Sequence, residues 1–133
     1  MGPQVMITRM AGFLAYAAAA IVALWGAAHA IPTRQVLAGF EPITTHNRRV
    51  VLQEWLAEAF TMWGIAAVVV SVTIVAGAGA SASQWVYRAA GGLLLALAVL
   101  TSLTGARTPV IWFKICPVLM TASAVLLVTA SLL

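Results

Sequence analysis

The stretch that decides the fold is residues 50–77, VVLQEWLAEAFTMWGIAAVVVSVTIVAG. From residue 59 to residue 77 it carries no charged side chain. The hydrocarbon core of a bilayer is about 30 Å thick, and about 20 apolar residues in an α-helix are enough to cross it. The stretch therefore predicts a membrane-spanning helix whose first turns are polar.

Three further segments have the length and apolar character of membrane spans: about residues 10–31, 85–103 and 110–133. Of the 133 residues, 63% are hydrophobic and 8% are charged, which is too apolar for a water-soluble domain of this size. The sequence predicts an all-α integral membrane protein, with one domain over residues 1–133 that forms a four-transmembrane-helix bundle. The lipid bilayer is the expected partner, and nucleic acid is not.

The connection between the first two predicted helices is unusual. Residues 32–49 form a long polar loop with two prolines, three arginines and one acid, whereas the other two connections are about six or seven residues long. Two interpretations stay open: a functional loop, or an amphipathic segment that lies in the membrane interface.

Successive spans alternate in direction, so the charged residues can be sorted by membrane face. One face, called the charged face below, carries five of the seven Lys and Arg residues. The positive-inside tendency places this face in the cytoplasm and both termini outside, and we expect a bacterial inner or plasma membrane. The five are Arg34, Arg48, Arg49, Arg107 and Lys114, while the opposite face has Arg9 and Arg88.

The tryptophans partly follow the same division. Trp25, Trp55 and Trp112 lie toward the charged face and Trp85 toward the opposite face, as in the aromatic belts of membrane proteins. Trp63 falls in the middle of the membrane, and an aromatic belt does not explain it.

Polar side chains follow one face of the second predicted helix. If this helix extends back to Asn47, a rotation of about 100° per residue puts four polar residues within about 60° of one another. Glu54 and Glu58 are i and i+4 neighbours, and like charges at this spacing repel. We therefore expect a carboxylate pair that shares a proton and acts as general acid and base. The four residues are Asn47, Glu54, Glu58 and Thr61.

His29 ends the first predicted helix at the same membrane level and is the third catalytic candidate, because imidazole exchanges protons near neutral pH. The structural alternative is a helix-end histidine that donates a hydrogen bond to a carbonyl group or a headgroup. The expected ligand-binding residues are the polar and cationic groups at this level: Asn47, Arg48, Arg49, Thr61, Arg107 and Lys114.

Two structural alternatives apply to the acids. The glutamates can form an ion-pair network with Lys114 or the arginines that ties the helices together. They can also join His29 in a metal site, but no Glu-x-x-His spacing supports one, so we predict no metal and no cofactor. The single cysteine, Cys116, is expected to be a small packing residue.

The length and four-helix plan are similar to those of the small multidrug resistance transporters, which pair subunits around a membrane-embedded glutamate. Those transporters carry the glutamate in their first helix, whereas residues 10–31 contain no acid. The resemblance is limited to size and plan, and it leaves a homo-oligomer open.

The functional expectation is a small intramembrane enzyme or binding protein that acts on a lipophilic small molecule through the carboxylate pair. Isomerisation, cyclisation or epoxide opening would suit such acid/base groups. The alternatives are a proton-coupled transporter or channel, and a structural subunit of a membrane complex. No soluble-type catalytic motif is present in the sequence.

The orientation is tested by single cysteines placed in a chain whose Cys116 has been replaced. We expect Arg34→Cys to react with a membrane-impermeant thiol reagent from the cytoplasmic side only, and Ala82→Cys from the outside only. The reverse pattern would contradict the assignment.

Overall fold

The computed structural model describes residues 2–133, which fold into five α-helices without a β-strand. Four of the helices are long and apolar enough to cross a membrane. The predicted four-helix, all-α membrane bundle is thereby confirmed, and the chain is an integral membrane protein. The helices are α1 (Pro3–Ala30), α2 (Thr33–Ala38), α3 (Thr45–Ala76), α4 (Ser81–Leu103) and α5 (Ile111–Ala130), and a 3-10 helix (Gly105–Arg107) joins α4 to α5.

Helices α1 and α3 begin before their apolar stretches begin. Pro3 opens α1, where a missing amide hydrogen is harmless. At the start of α3, the Thr44 hydroxyl accepts a hydrogen bond of 3.2 Å from the Asn47 amide. The 32 residues of α3 span about 48 Å, more than the hydrocarbon core, so its first turns project beyond it. The apolar stretch of α3 therefore indicates where the helix enters the hydrocarbon, whereas the Thr44 cap sets where the helix begins.

The stretch 32–49 is not a continuous loop in the structure. Its first part is α2, whose Leu37 is buried, and α2 packs against α3. Its last part, from Thr45 on, already belongs to α3. Arg48 Nη1 donates a 2.7 Å hydrogen bond to Glu41 Oε1, and both side chains are about half exposed, so this pair adds little stability. The segment therefore folds back onto the projecting end of α3.

The contact between α1 and α3 explains the tryptophan in the middle of the membrane. Trp63 Nε1 donates a 3.1 Å hydrogen bond to the carbonyl oxygen of Ala23. Gly26 makes room for this, because a Cβ atom there would lie 2.9 Å from Trp63 Nε1 and 3.1 Å from Met62 Cβ. Small residues let two helices approach closely in a membrane, where lipid is as apolar as the helices themselves.

Toward the opposite face, hydrogen bonds join α3 to α4. The Thr73 hydroxyl donates to the Val69 carbonyl oxygen at 2.6 Å, so it accepts the 2.6 Å hydrogen bond from the fully buried Tyr87 hydroxyl. Ser83 donates to the carbonyl oxygen of Gly77, which ends α3 with φ of 86°. These bonds hold the α3–α4 turn together.

Helix α5 completes the bundle by packing against α1 and α4. At Gly91, a Cβ atom would lie 3.2 Å from Val128 Cγ2 and 3.4 Å from the Ala124 carbonyl oxygen, so the α4 backbone approaches α5 closely. Arg88 donates to the carbonyl oxygen of Ser131 at 3.1 Å, and this caps the end of α5. Helices α3 and α4 are adjacent but meet less extensively than the other neighbouring pairs of long helices.

The close approach of α1 and α3 predicts that Gly26→Ala is destabilising. The added methyl group would displace the Trp63 ring and break its bond to Ala23, so we expect the free energy of unfolding to fall by about 1–3 kcal/mol. Gly92→Ala is the matched control, because a Cβ there meets open space. It should leave stability unchanged or raise it by up to about 1 kcal/mol. Denaturation in mixed micelles measures the free energy of unfolding of both variants. Equal changes for Gly26→Ala and Gly92→Ala would argue against the close packing of α1 on α3.

Candidate functional site

His29 lies at the end of α1, buried against α3. Its ring stacks on Trp55 with the two ring centroids 3.7 Å apart and the planes 20° from parallel. Its Nε2 lies 3.1 Å from the Trp55 carbonyl oxygen and 3.6 Å from Glu58 Oε2. A carbonyl oxygen can only accept, so this hydrogen bond requires the proton on Nε2. The Nε2–H therefore donates to the backbone oxygen, and the carboxylate lies close to the same nitrogen.

The register of α1 against α3 sets this meeting. The two helices run antiparallel, with Ala23 level with Trp63 and His29 level with Trp55. Glu58 follows Trp55 by three residues and so shares its side of the helix, about one turn deeper. The site lies directly before the uncharged stretch of α3, at the edge of the hydrocarbon.

Helices α4 and α5 complete the surroundings of this pair. Phe113 on α5 meets the Trp55 ring edge-on at a centroid distance of 6.2 Å, and the Cys116 thiol is buried near Trp25 and Thr101. All four spanning helices therefore contribute. We call this group the polar-aromatic layer, and its members are Trp25, His29, Trp55, Glu58, Thr101, Phe113 and Cys116.

Two hydrogen-bond donors in the layer are unsatisfied. The indole nitrogens of Trp25 and Trp55 are buried and have no oxygen or nitrogen acceptor within residues 2–133, and Trp25 has only the Cys116 sulfur, a weak acceptor, nearby. A buried donor without a partner costs about 1–3 kcal/mol, and such groups in native structures call for an explanation. An acceptor atom from water or from a bound molecule would satisfy them.

The two predicted carboxylates have different environments. The Glu58 side chain is one-third exposed, and its partner is His29, with which it forms an ion pair only when the imidazole is protonated. Glu54 is exposed and forms no ion pair with the described part of the chain. Within residues 2–133 neither acid contacts Lys114 or an arginine as an ion pair, so the alternative network of glutamates and basic residues does not form.

The predicted ligand-binding residues are all exposed, and the structure records no hydrogen bond or ion pair from any of them to His29 or Glu58. Arg48 pairs with Glu41, the Asn47 amide joins the cap of α3, and the Thr61 hydroxyl donates to the Ala57 carbonyl oxygen at 2.8 Å. The full set is Asn47, Arg48, Arg49, Thr61, Arg107 and Lys114. Thr61 alone of these lies on α3 beyond Glu58.

Sequence reasoning missed the aromatic half of the layer. The sequence pattern predicts an interfacial position for Trp25 and Trp55 and packing for Cys116, and it gives the Phe113 side chain no role. The spacing of residues could have indicated the layer, because α1, α3 and α5 each carry two of its members three or four residues apart on one face. The pairs are Trp25 with His29, Trp55 with Glu58, and Phe113 with Cys116.

Within the described residues, no group of three His, Cys, Asp or Glu side chains has the arrangement of a metal site. Comparisons with protein-family models, curated proteins and solved structures found no match to this chain. The class that fold and site define is an integral membrane four-helix bundle with a polar-aromatic layer at its charged face.

The contacts of His29 predict that His29→Ala is destabilising. It removes a stacked pair worth about 0.5–1.5 kcal/mol and a hydrogen bond of similar size, so we expect a loss of about 1–3 kcal/mol. His46→Ala is the control, because His46 is exposed in the first turn of α3, and its effect should stay within about 0.5 kcal/mol. Circular dichroism measures the unfolding of both variants in mixed micelles. Equal free energies of unfolding for the two variants would contradict the observed contacts.

Proposed function

We propose that this protein is an intramembrane enzyme or binding protein for a lipophilic small molecule, with Glu58 and His29 as its proton-exchanging pair. The observation that carries the proposal is the 3.6 Å approach of His29 Nε2 to Glu58 Oε2, where α3 enters its uncharged stretch, with no lysine or arginine paired to the glutamate within residues 2–133. A charged side chain inside a membrane costs about 2.5–3.5 kcal/mol on insertion scales, so such residues usually have a functional reason.

The geometry suits general acid and base chemistry. The Trp55 carbonyl oxygen orients the imidazole by accepting from Nε2, and Glu58 exposes a third of its side chain toward the surroundings. Glu54, one turn away on α3, offers a second carboxyl group. In an isomerisation or a cyclisation, one carboxyl group would give a proton to the ligand while a carboxylate removes another, so the proton count is unchanged. Epoxide opening would in addition consume water.

Transport is less well supported, because it requires a polar path to the opposite face. The polar side chains at the buried α3–α4 contact form hydrogen bonds within the protein: Thr73 bonds Tyr87, and Ser83 bonds the backbone. Ser71 and Thr129 are exposed at the outer surface of the bundle.

A structural role is the second candidate, and the stacking of His29 on Trp55 favours it. In that case the layer would fasten α1 to α3, and the carboxylate of Glu58 would serve only to hold the imidazole. Replacing the carboxylate separates the two candidates, because ligand binding and folding then respond differently.

Glu58→Gln is expected to weaken ligand binding at least tenfold, about 1.4 kcal/mol, while the free energy of unfolding changes by less than about 1 kcal/mol. Binding isotherms in nanodiscs, for a panel of lipophilic amines, alcohols and ketones, measure the first effect. Glu41→Gln is the control, because Glu41 is an exposed carboxylate outside the layer. A Glu58→Gln protein that unfolds, or that binds every compound as the parent does, would favour the structural role.

A further inference from the structure

An open apolar groove of about 350 Å³ runs between α3 and α4. It exists because these helices are joined firmly at their turn and pack less extensively beyond it. Small residues on both sides also leave space, and a Cβ atom at Gly64 would meet nothing within 4 Å. The lining residues are Gly64, Ile65, Val68, Val86, Ala89, Ala90 and Leu93.

The groove continues the acidic face of α3. At about 100° per residue, the two glutamates share a sector of about 80° with Thr61, Ile65 and Val68. Along the helix axis, Val68 lies about 15 Å from Glu58, which is half the thickness of the hydrocarbon core. On α3 the lining of the groove ends at Gly64, and the glutamates lie beyond it on the same face of the helix. The groove and this acidic face together have the length of one lipid chain.

The charge at the head of the groove is unbalanced. Glu54 has no ion-pair partner within residues 2–133, and Glu58 has only His29. Lys114 and Arg107 are exposed and pair with neither acid. Trp55, whose indole nitrogen lacks a partner, is turned about 60° from Glu58 toward α1. Between Glu54 and Val68, this face of α3 therefore carries only the two carboxylates and the Thr61 hydroxyl as polar side chains. A cationic group complements this end of the groove.

A second groove, of about 390 Å³, lies between α1 and α3, lined by residues from Tyr16 to Val70. No charged side chain lines it. The lining of the α3–α4 groove is likewise uncharged, but Ile65 and Val68 share a face of α3 with the glutamates. The α3 residues of the second groove lie about 80° or more around the helix from both acids, so ordinary bilayer lipid accounts for that groove.

We propose that the α3–α4 groove, with Glu54 and Glu58 at its head, binds a single-chain amphiphile with an amine headgroup. The alkyl chain lies along Gly64, Val68 and Leu93, and the ammonium group lies between the carboxylates and the Thr61 hydroxyl. This assignment names the ligand class of the site proposed above and rests on that proposed function.

The test uses dodecylamine that carries a diazirine in the middle of its chain, with protein in nanodiscs of phosphatidylcholine. We expect photolabelling of α3 and α4 beside the groove, and the matching dodecanoic acid derivative should label at least tenfold less. Gly64→Leu fills the groove and should reduce labelling by the amine at least tenfold. Gly92→Leu is the matched control: Gly92 is also an exposed glycine with open space at its Cβ, but it does not line the groove, so labelling should persist.

Ala89→Leu fills the groove from α4 and provides a second variant should Gly64→Leu not fold. Equal labelling by the amine and the acid would mean ordinary lipid contact and overturn the inference. Labelling that survives both groove-filling variants, or the combined Glu54→Gln and Glu58→Gln change, would also overturn it.

The two proposals fail in different ways. If a neutral compound, and not the amine, binds in a Glu58-dependent manner, the ligand class is wrong and the proposed function stands. If no compound in the panel binds in a Glu58-dependent manner, both are wrong.

Discussion

The packing of α1 against α3 is the constraint on which the site depends. Lipid is as apolar as the helices, so burial of apolar surface does not drive these helices together, and close approach and hydrogen bonds must hold them. Gly26 permits the approach, and the Trp63 bond to Ala23 fixes the register. With that register set, the end of α1 can place His29 only beside Trp55 and Glu58.

Polar groups have different tasks at the two ends of the bundle. Toward the opposite face most of them serve structure: Tyr87 bonds Thr73, Ser83 bonds the α3–α4 turn, and Arg88 caps α5 through Ser131. The buried Ser123 hydroxyl of α5, just past the middle of the helix, is the exception among the described residues, because it has no partner. Toward the charged face several groups are left with incomplete partners, among them Glu54 and the indole nitrogens of Trp25 and Trp55. Buried or membrane-level polar groups without partners are costly, so this end is where a bound molecule would gain the most.

The loose contact between α3 and α4 has a chemical consequence. The hydrogen bonds at their turn allow these helices to stay together without close packing along their whole length, and small residues keep the intervening space open. Because the same face of α3 carries the glutamates, the open side of the bundle and its acidic end are continuous.

The sequence by itself determined the class of the fold and the location of the acids. Four apolar stretches of spanning length exclude a water-soluble fold and a fold that mixes helices with strands. In lipid, the hydrogen bonds of the backbone must be formed within each helix. The 3.6-residue period placed Glu54, Glu58 and Thr61 on one face, and the charge distribution grouped His29 with them at one end.

Only the tertiary structure decided which of these groups meet. Hydropathy contains no information about helix register, so it gave no reason to choose His29 over Lys114 as the partner of Glu58. It did not explain the position of Trp63. It also could not locate the helix starts, since Thr44 caps α3 well before the apolar stretch begins. Contacts between helices arise from the shapes of small and aromatic side chains on different segments, and a periodic pattern along one segment carries no information about them.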